Sequence, residues 1–282
     1  MECEYSGPSY RIESPVLPED GPQRQEHIER VAKAIRAIQK GPLQKVVLAR
    51  SLSVKSSGTP LEAFQRILGA YPGAFCYVFY HPSTGVWTGA SPELLLSHTD
   101  TIAQTVSLAG TLPANGTVPP HWSPKEIWEQ QVVTDYICSR LREQGLHPEA
   151  HSAAGVRAGA LWHLKTPISV QVTAKRREAL LQALHPTPAV CGFPLEEAQS
   201  YIAAHEGLPR DYYTGFLGPI GLGNKDSAAL YVNLRCARLA DGTATLFVGG
   251  GITGASNPQM EWEETRHKAG TILSVLNYSI RK

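Results

Sequence analysis

Near the C-terminus, Glu261, Glu264 and Lys268 carry two carboxylates and an ammonium at the spacing of one helix face. Ser256-Asn257-Pro258 predicts the start of that helix, with Asn257 as N-cap and Pro258 at the first helical position. There Glu261 and Glu264 lie roughly 60° apart, and Lys268 follows Glu264 by one turn. The glycine run Gly249, Gly250, Gly251 precedes them, expected as a turn that lets a ligand approach the backbone. Paired hard oxygen ligands suit Mg²⁺, which binds a few carboxylates and keeps waters and an anionic substrate. In isolation, Glu-x-x-Glu-x-x-x-Lys also reads as a solvated, salt-bridged helix face.

Other residues have chemical potential and an equally plain alternative. Lys45 opens an apolar run, as an edge lysine would, and Glu93 follows Ser91-Pro92, as a turn carboxylate would. Glu129 falls in a helical pattern, His163 in Trp162-His163-Leu164, and Arg235 alternates with apolar residues. Their ordinary roles would be a surface acid, a satisfied core histidine and an inner-sheet ion pair.

Elements must position these groups. Apolar periodicity predicts helices over residues 23–39, 61–71, 124–144, 176–184, 196–205 and from 258 onward. Strand patterns cover 45–54, 74–80, 85–90, 93–97, 101–107, 161–172, 214–220, 228–237 and 244–248. Residues 1–25 read as a loose N-terminal arm and 26–282 as a single catalytic domain. Residues 111–123 read as a loop, 145–160 as a small-residue connection and 185–194 as a proline-broken loop. Clustered strands alternating with helices predict an α+β fold with large, mostly antiparallel sheets.

Composition narrows the class. A chain of 282 residues, 42% hydrophobic and 18% charged, has the makings of a sizeable core. A net charge of +1 argues against a general nucleic-acid binder. No apolar run reaches the length of a membrane span, and residues 1–25 lack the shape of a signal peptide. Five dispersed cysteines form neither a zinc pattern nor a disulfide framework, so free thiols and a cytoplasmic location are expected.

Taken together and in order, the blocks resemble the chorismate-utilising enzyme family of isochorismate, salicylate, anthranilate and aminodeoxychorismate synthases. They are Lys45-Val-Val-Leu-Ala-Arg50, Gly89-Ala-Ser-Pro-Glu-Leu94, Leu108-Ala-Gly-Thr111 and Leu161-Trp-His-Leu164. Next come Leu184-His-Pro-Thr-Pro-Ala189, Gly215-Phe-Leu-Gly218 and Asn233-Leu-Arg-Cys-Ala237, then Phe247-Val-Gly-Gly-Gly-Ile252 and Glu261-Trp-Glu-Glu-Thr265. The proline segment followed by Cys191-Gly192-Phe193-Pro194 is similar to the isochorismate synthase branch.

The resemblance implies a sandwich of two large sheets flanked by helices, and an Mg²⁺-dependent isomerase that converts chorismate to isochorismate. Water would add at C2 as the C4 hydroxyl leaves, serving menaquinone or siderophore biosynthesis. By the same resemblance Lys45 is the general base and Glu93 the general acid, so Lys45 requires a lowered pKa and Glu93 a raised one. Glu129 and Glu264 would hold the metal, with Glu261 beside them. Thr111, His163, Arg210, Tyr213, Arg235, Lys268 and the amides around Gly249 and Gly250 would line the substrate site. A salicylate synthase that goes on to eliminate pyruvate, and a chorismate-binding protein without turnover, are the alternatives. The expected partner is the small-molecule substrate, on a monomer or weak homodimer that uses no nucleic acid or membrane.

The chain departs from the family pattern in three places. Leu112-Pro113-Ala114-Asn115-Gly116 replaces the arginines that usually follow the Ala-Gly-Thr block. Lys125-Glu126-Ile127-Trp128-Glu129-Gln130 replaces a Lys-Asp/Glu-Arg-x-Glu-His pattern. Relatives also carry further N-terminal strands, so an N-terminally shortened sandwich is expected, its edge exposed, filled by residues 1–25 or covered by a partner.

Overall fold

The computed structural model describes residues 21–114, 118, 120–158 and 161–279. In chain order these begin with α1 (Pro22–Lys40), β1 (Lys45–Ser57), α2 (Pro60–Ala70), β2 (Phe75–His81), β3 (Gly85–Ser91), β4 (Leu94–Thr99) and β5 (Ile102–Pro113). Next come α3 (Pro124–Glu143), β6 (Glu149–Ala150), β7 (Ala154–Ala158), β8 (Leu161–Gln171), α4 (Arg177–Leu184), β9 (Gly192–Phe193) and α5 (Leu195–His205). The chain closes with β10 (Phe216–Leu217), β11 (Ala228–Val232), β12 (Cys236–Ala240), β13 (Thr243–Thr253), α6 (Pro258–Leu273) and β14 (Asn277–Ser279).

Among the described residues the strands form two seven-stranded sheets. The first runs β14-β1-β13-β12-β3-β2 with β9 on β1, and the second β10-β11-β4-β5-β8-β6 with β7 on β8. The α+β class expected from the sequence is the fold observed. Helices α3 and α4 cover the second sheet, burying Val133, Ile137, Leu141, Leu180 and Leu184 against Leu95, Ile168 and Val170. Ile137 and Leu141 are at most 1% exposed, and each contributes about 1.5–3 kcal/mol by burial. On the first sheet, α1 and α5 pack Val31, Ala34 and Ala198 against Val46, Leu48 and Ile252. A separate cluster of Tyr77, Trp87, Tyr213 and Phe247 packs with Ala49 and Cys236.

Two crossings between the sheets matter most. Pro92-Glu93 joins β3 of the first sheet to β4 of the second, and Asn233-Leu234-Arg235 joins β11 of the second to β12 of the first. The single strand expected over 228–237 is therefore two. Arg235 takes a left-handed φ of 48° at the break, a conformation that costs a non-glycine residue on the order of 1–2 kcal/mol. The crossings hold each other: Val232 N donates to Glu93 O at 2.9 Å and Ala90 N to Arg235 O at 3.0 Å. The Ser91 hydroxyl donates to Val232 O at 2.5 Å.

The glycine run is strand, not turn. Gly249, Gly250 and Gly251 pair with Ala49, Leu48 and Val47 inside β13. Side chains pack over them: a Cβ on Gly251 would meet Lys45 Cε at 2.9 Å, and one on Gly250 would meet Glu261 Oε2 at 3.2 Å. Glycine is the residue that leaves room for the ammonium and the carboxylate.

Strand β5 also runs further than expected, so Thr111 is in a strand. A bulge at Gly110, with φ 64°, shifts the register and sets Thr111 opposite His163. The connection over 145–160 contains the short strands β6 and β7. Of the expected arm, residues 1–20 lie outside the described residues and Pro22 to Gln25 open α1. Asn115 and Gly116, where the missing arginines were noted, also lie outside them.

Candidate active site

Several candidate groups sit where the backbone changes state. Lys45 is the first residue of β1, Glu93 and Arg235 lie in the two crossings, and Thr111 follows the bulge. Glu129 projects from α3, which starts at a capping box: the Ser123 hydroxyl accepts from Lys125 N, and Ser123 N donates to Glu126 Oε2 at 3.0 Å. Helix α6 starts as predicted, with Asn257 Oδ1 accepting from Gln259 N and Met260 N at 3.0 and 3.1 Å. These ends meet at a cavity of about 70 Å³ lined by Lys45, Glu93, Thr111, Glu129, His163, Tyr213, Arg235, Gly249, Gly251, Glu264 and Lys268. A wider cavity of about 510 Å³ shares Pro92, Leu108, His163 and Arg235 with it.

Lys45 is 2% exposed and Glu93 6%. Burial pushes the Lys45 ammonium below its ordinary value; Glu129 pulls it back up and Lys268 lowers it again. Burial raises the Glu93 carboxyl to about 7, against the pull of Arg235, Lys45 and Lys268. The two shifts run in the directions that acid–base chemistry near neutral pH needs. Burial also drives His163 well below its usual value, helped by Arg235 and Lys268, so its ring is neutral. Its Nδ1 lies 3.1 Å from Thr111 Oγ1, and Nε2 is buried with no hydrogen-bond partner among the described residues.

The cations divide into two groups. Lys268 Nζ donates to Gly249 O at 2.9 Å and to Glu264 Oε1 at 2.6 Å, which leaves one of its three protons for a ligand. Arg235 reaches the same cavity, and burial holds its guanidinium below the ordinary arginine value. Strand β12 covers β13 only as far as Phe247. That edge of the glycine segment is therefore free of β12, and backbone amides there can receive a carboxylate.

Arg210, expected at the substrate, is committed elsewhere. It donates to both oxygens of Glu206 at 2.6 Å, to Val47 O at 2.8 Å and to Val190 O at 3.1 Å. Glu206 Oε2 in turn accepts from Ala49 N at 2.8 Å. This network pins the end of α5 to β1, and Tyr213, three residues on, lines the cavity in its place. Arg210→Ala strands a carboxylate that is 4% exposed, so a loss of about 3–5 kcal/mol in urea unfolding is expected. A folded variant of unchanged stability with a raised KM would return Arg210 to the substrate.

Sequence reasoning missed the role of Gln130, the last residue of the departing segment Lys125 to Gln130. Its Oε1 accepts from Ala109 N at 2.8 Å, and its Nε2 donates to Ser107 O and Thr166 Oγ1 at 3.0 and 2.9 Å. It holds β5 to β8 just before the bulge that places Thr111. Gln130→Ala leaves the buried Ala109 N–H and Ser107 C=O without this partner, at about 1–3 kcal/mol for each group so stranded. A lower midpoint in chemical denaturation is expected, and an unchanged one would show that β5 does not depend on it.

Glu129 of α3 and Glu264 of α6 line the cavity, and Glu261 lies behind them on α6, one turn before Glu264. Burial raises Glu129; burial and the neighbouring Glu264 raise Glu261. Burial raises Glu264 too, but the Lys268 ammonium outweighs it and holds that carboxyl low. Glu129 Oε1 and Glu261 Oε2 are buried without a hydrogen-bond partner among the described residues. Such orphaned oxygens fit a hard divalent cation that takes few protein ligands and completes its shell with water and substrate. No three His, Cys, Asp or Glu side chains among the described residues converge on one metal position by themselves.

Residues 6–277 match the sequence profile of a family described as chorismate binding enzyme. Isochorismate synthase EntC of Escherichia coli (strain K12) is 30% identical over 269 residues, covering 90% of this chain and 68% of EntC. The solved structure of MenF, the menaquinone-specific isochorismate synthase from Escherichia coli, superposes with a TM-score of 0.76 at 26% identity, covering 94% of this chain and 65% of MenF. Anthranilate synthase component I from Streptococcus pneumoniae TIGR4, at 20% identity and a TM-score of 0.77, shares the fold over 93% of this chain and 60% of its own. This chain thus spans about two thirds of the length of these relatives. With a family match over nearly its whole length, this chain belongs to the chorismate-binding enzymes.

Proposed function

We propose that the protein is an isochorismate synthase, adding water at C2 of chorismate as the C4 hydroxyl leaves. The observation that carries this reading is the pairing of Lys45 and Glu93 in one cavity, with pKa values moved in opposite directions. Neutral Lys45 removes a proton from the attacking water, and protonated Glu93 gives one to the departing hydroxyl. Arg235, Lys268 and the open edge of β13 take the two carboxylates of the substrate, the arginine as a planar fork. Neutral His163 offers the Nε2 lone pair to a substrate hydroxyl, and Thr111 fixes its ring. Glu129 and Glu264, with Glu261, would hold Mg²⁺, which when bound screens and orients the ring carboxylate.

The likeness to MenF supports menaquinone supply as one destination for the product, and siderophore supply is the other. Four of the cysteines are free thiols, which supports a reducing compartment such as the cytoplasm. No helix among the described residues is long and apolar enough to cross a membrane.

Incubating the purified chain with chorismate, with and without Mg²⁺, and separating the products tests the proposal. Isochorismate formed only with metal is expected. Salicylate with pyruvate as the main product would move the chain to the salicylate synthase branch. Chorismate bound but recovered unchanged would make it a binding protein.

A further inference from the structure

The carboxylate cluster contains a cation of its own. Lys125 lies in the first turn of α3, one turn before Glu129. Its Nζ donates to Glu261 Oε1 at 2.8 Å and lies 3.9 Å from Glu129 Oε1. One ammonium thus bridges the starts of α3 and α6, between two carboxylates on different helices. Glu264 is served separately, by Lys268 at 2.6 Å. The side chain of Glu261 is 2% exposed, whereas that of Lys125 keeps 27% of its surface in solvent. Lys125 therefore reaches the cluster from the rim, on a flexible stem that can also point outward.

Two buried carboxylates left without positive charge carry a large desolvation penalty. In metal-free protein Lys125 supplies that charge to Glu261 and shares Glu129 with Lys45. A divalent cation would supply it instead, through oxygens of the same two carboxylates, because Mg²⁺ binds carboxylate oxygens at about 2.0–2.1 Å. An ammonium hydrogen-bonded at 2.8 Å to Glu261 Oε1 stands in the coordination space such a cation needs. That the carboxylates do not converge on one position agrees with an ammonium between Glu129 and Glu261.

We propose that Lys125 is a tethered counter-ion that holds the metal position in the metal-free protein and turns out to solvent when the cation enters. It keeps the carboxylates charged and apart before loading, and it sets divalent-cation affinity by competition. This rests on the metal reading above.

Mn²⁺ binding to the full chain, measured calorimetrically without chorismate, is the test. Lys125→Met keeps the stem and removes the charge. The variant is expected to bind Mn²⁺ roughly tenfold more tightly, a difference of about 1.4 kcal/mol. Metal-free, it should melt below the parent, and saturating Mn²⁺ should close the gap. In the unmodified chain, mass-spectrometric acylation should find Lys125 more reactive once Mn²⁺ is added, a readout that needs no variant to fold. Equal or weaker binding by the variant, or an unchanged Lys125 reactivity while Mn²⁺ binds, would overturn the counter-ion. Absence of Mn²⁺ binding by both proteins would instead remove the metal itself, and the counter-ion with it.

Discussion

Chorismate turnover falls by about 10²–10⁴-fold when Lys45 is replaced by methionine, the range that one positioned base contributes. Methionine fills much of the lysine volume above Gly251, so the strand pair β1–β13 and the carboxylates keep their places. Folding should not suffer, because burial disfavours the Lys45 ammonium and an apolar side chain carries no such penalty. Turnover and thermal unfolding measured on the same preparation separate the two effects. The expected result is a protein at least as stable as the parent that still binds chorismate and barely converts it. A variant within tenfold of parental kcat would end the assignment of Lys45 as base.

Glu93→Gln is expected to cost a comparable 10²–10⁴-fold, because an amide fits the crossing but cannot give up a proton to the leaving hydroxyl. The pH profile supplies an independent reading. Glu93 acts as an acid only while protonated, and its carboxyl is raised to about 7. kcat/KM should therefore show a limb at about pH 7 that belongs to Glu93 and is lost in Glu93→Gln. The other limb should belong to Lys45, below the ordinary lysine value. A profile with no limb near pH 7, or one that Glu93→Gln leaves in place, would contradict an acid at this position.

Much of the fold was legible because its elements obey local rules. The start of α6 was written in Asn257-Pro258, and the helix boundaries follow apolar periodicity. The sheet switch at Arg235 was not, since residues 228–237 alternate like one strand and the left-handed turn lies on a residue that rarely adopts one. Gly249 to Gly251 read as a turn because glycine usually marks one, whereas here side chains from Lys45 and α6 take the space. Of the site, Lys45, Glu93, Glu129, His163, Arg235, Glu264 and Lys268 were named in advance and line one cavity. Arg210 lies outside that lining, tied to Glu206 four residues away, a spacing that could have signalled a local ion pair. Lys125 stands at the same spacing before Glu129, but its main bond reaches across 136 residues to Glu261, and no local pattern carries that.

Turnover of chorismate in water enriched in ¹⁸O tests the two-residue proton relay most directly. Lys45 activating water and Glu93 releasing the old hydroxyl require one ¹⁸O atom in each isochorismate, at C2. Isochorismate formed without label would mean that the hydroxyl moved within the substrate, and the base and acid roles would both be wrong.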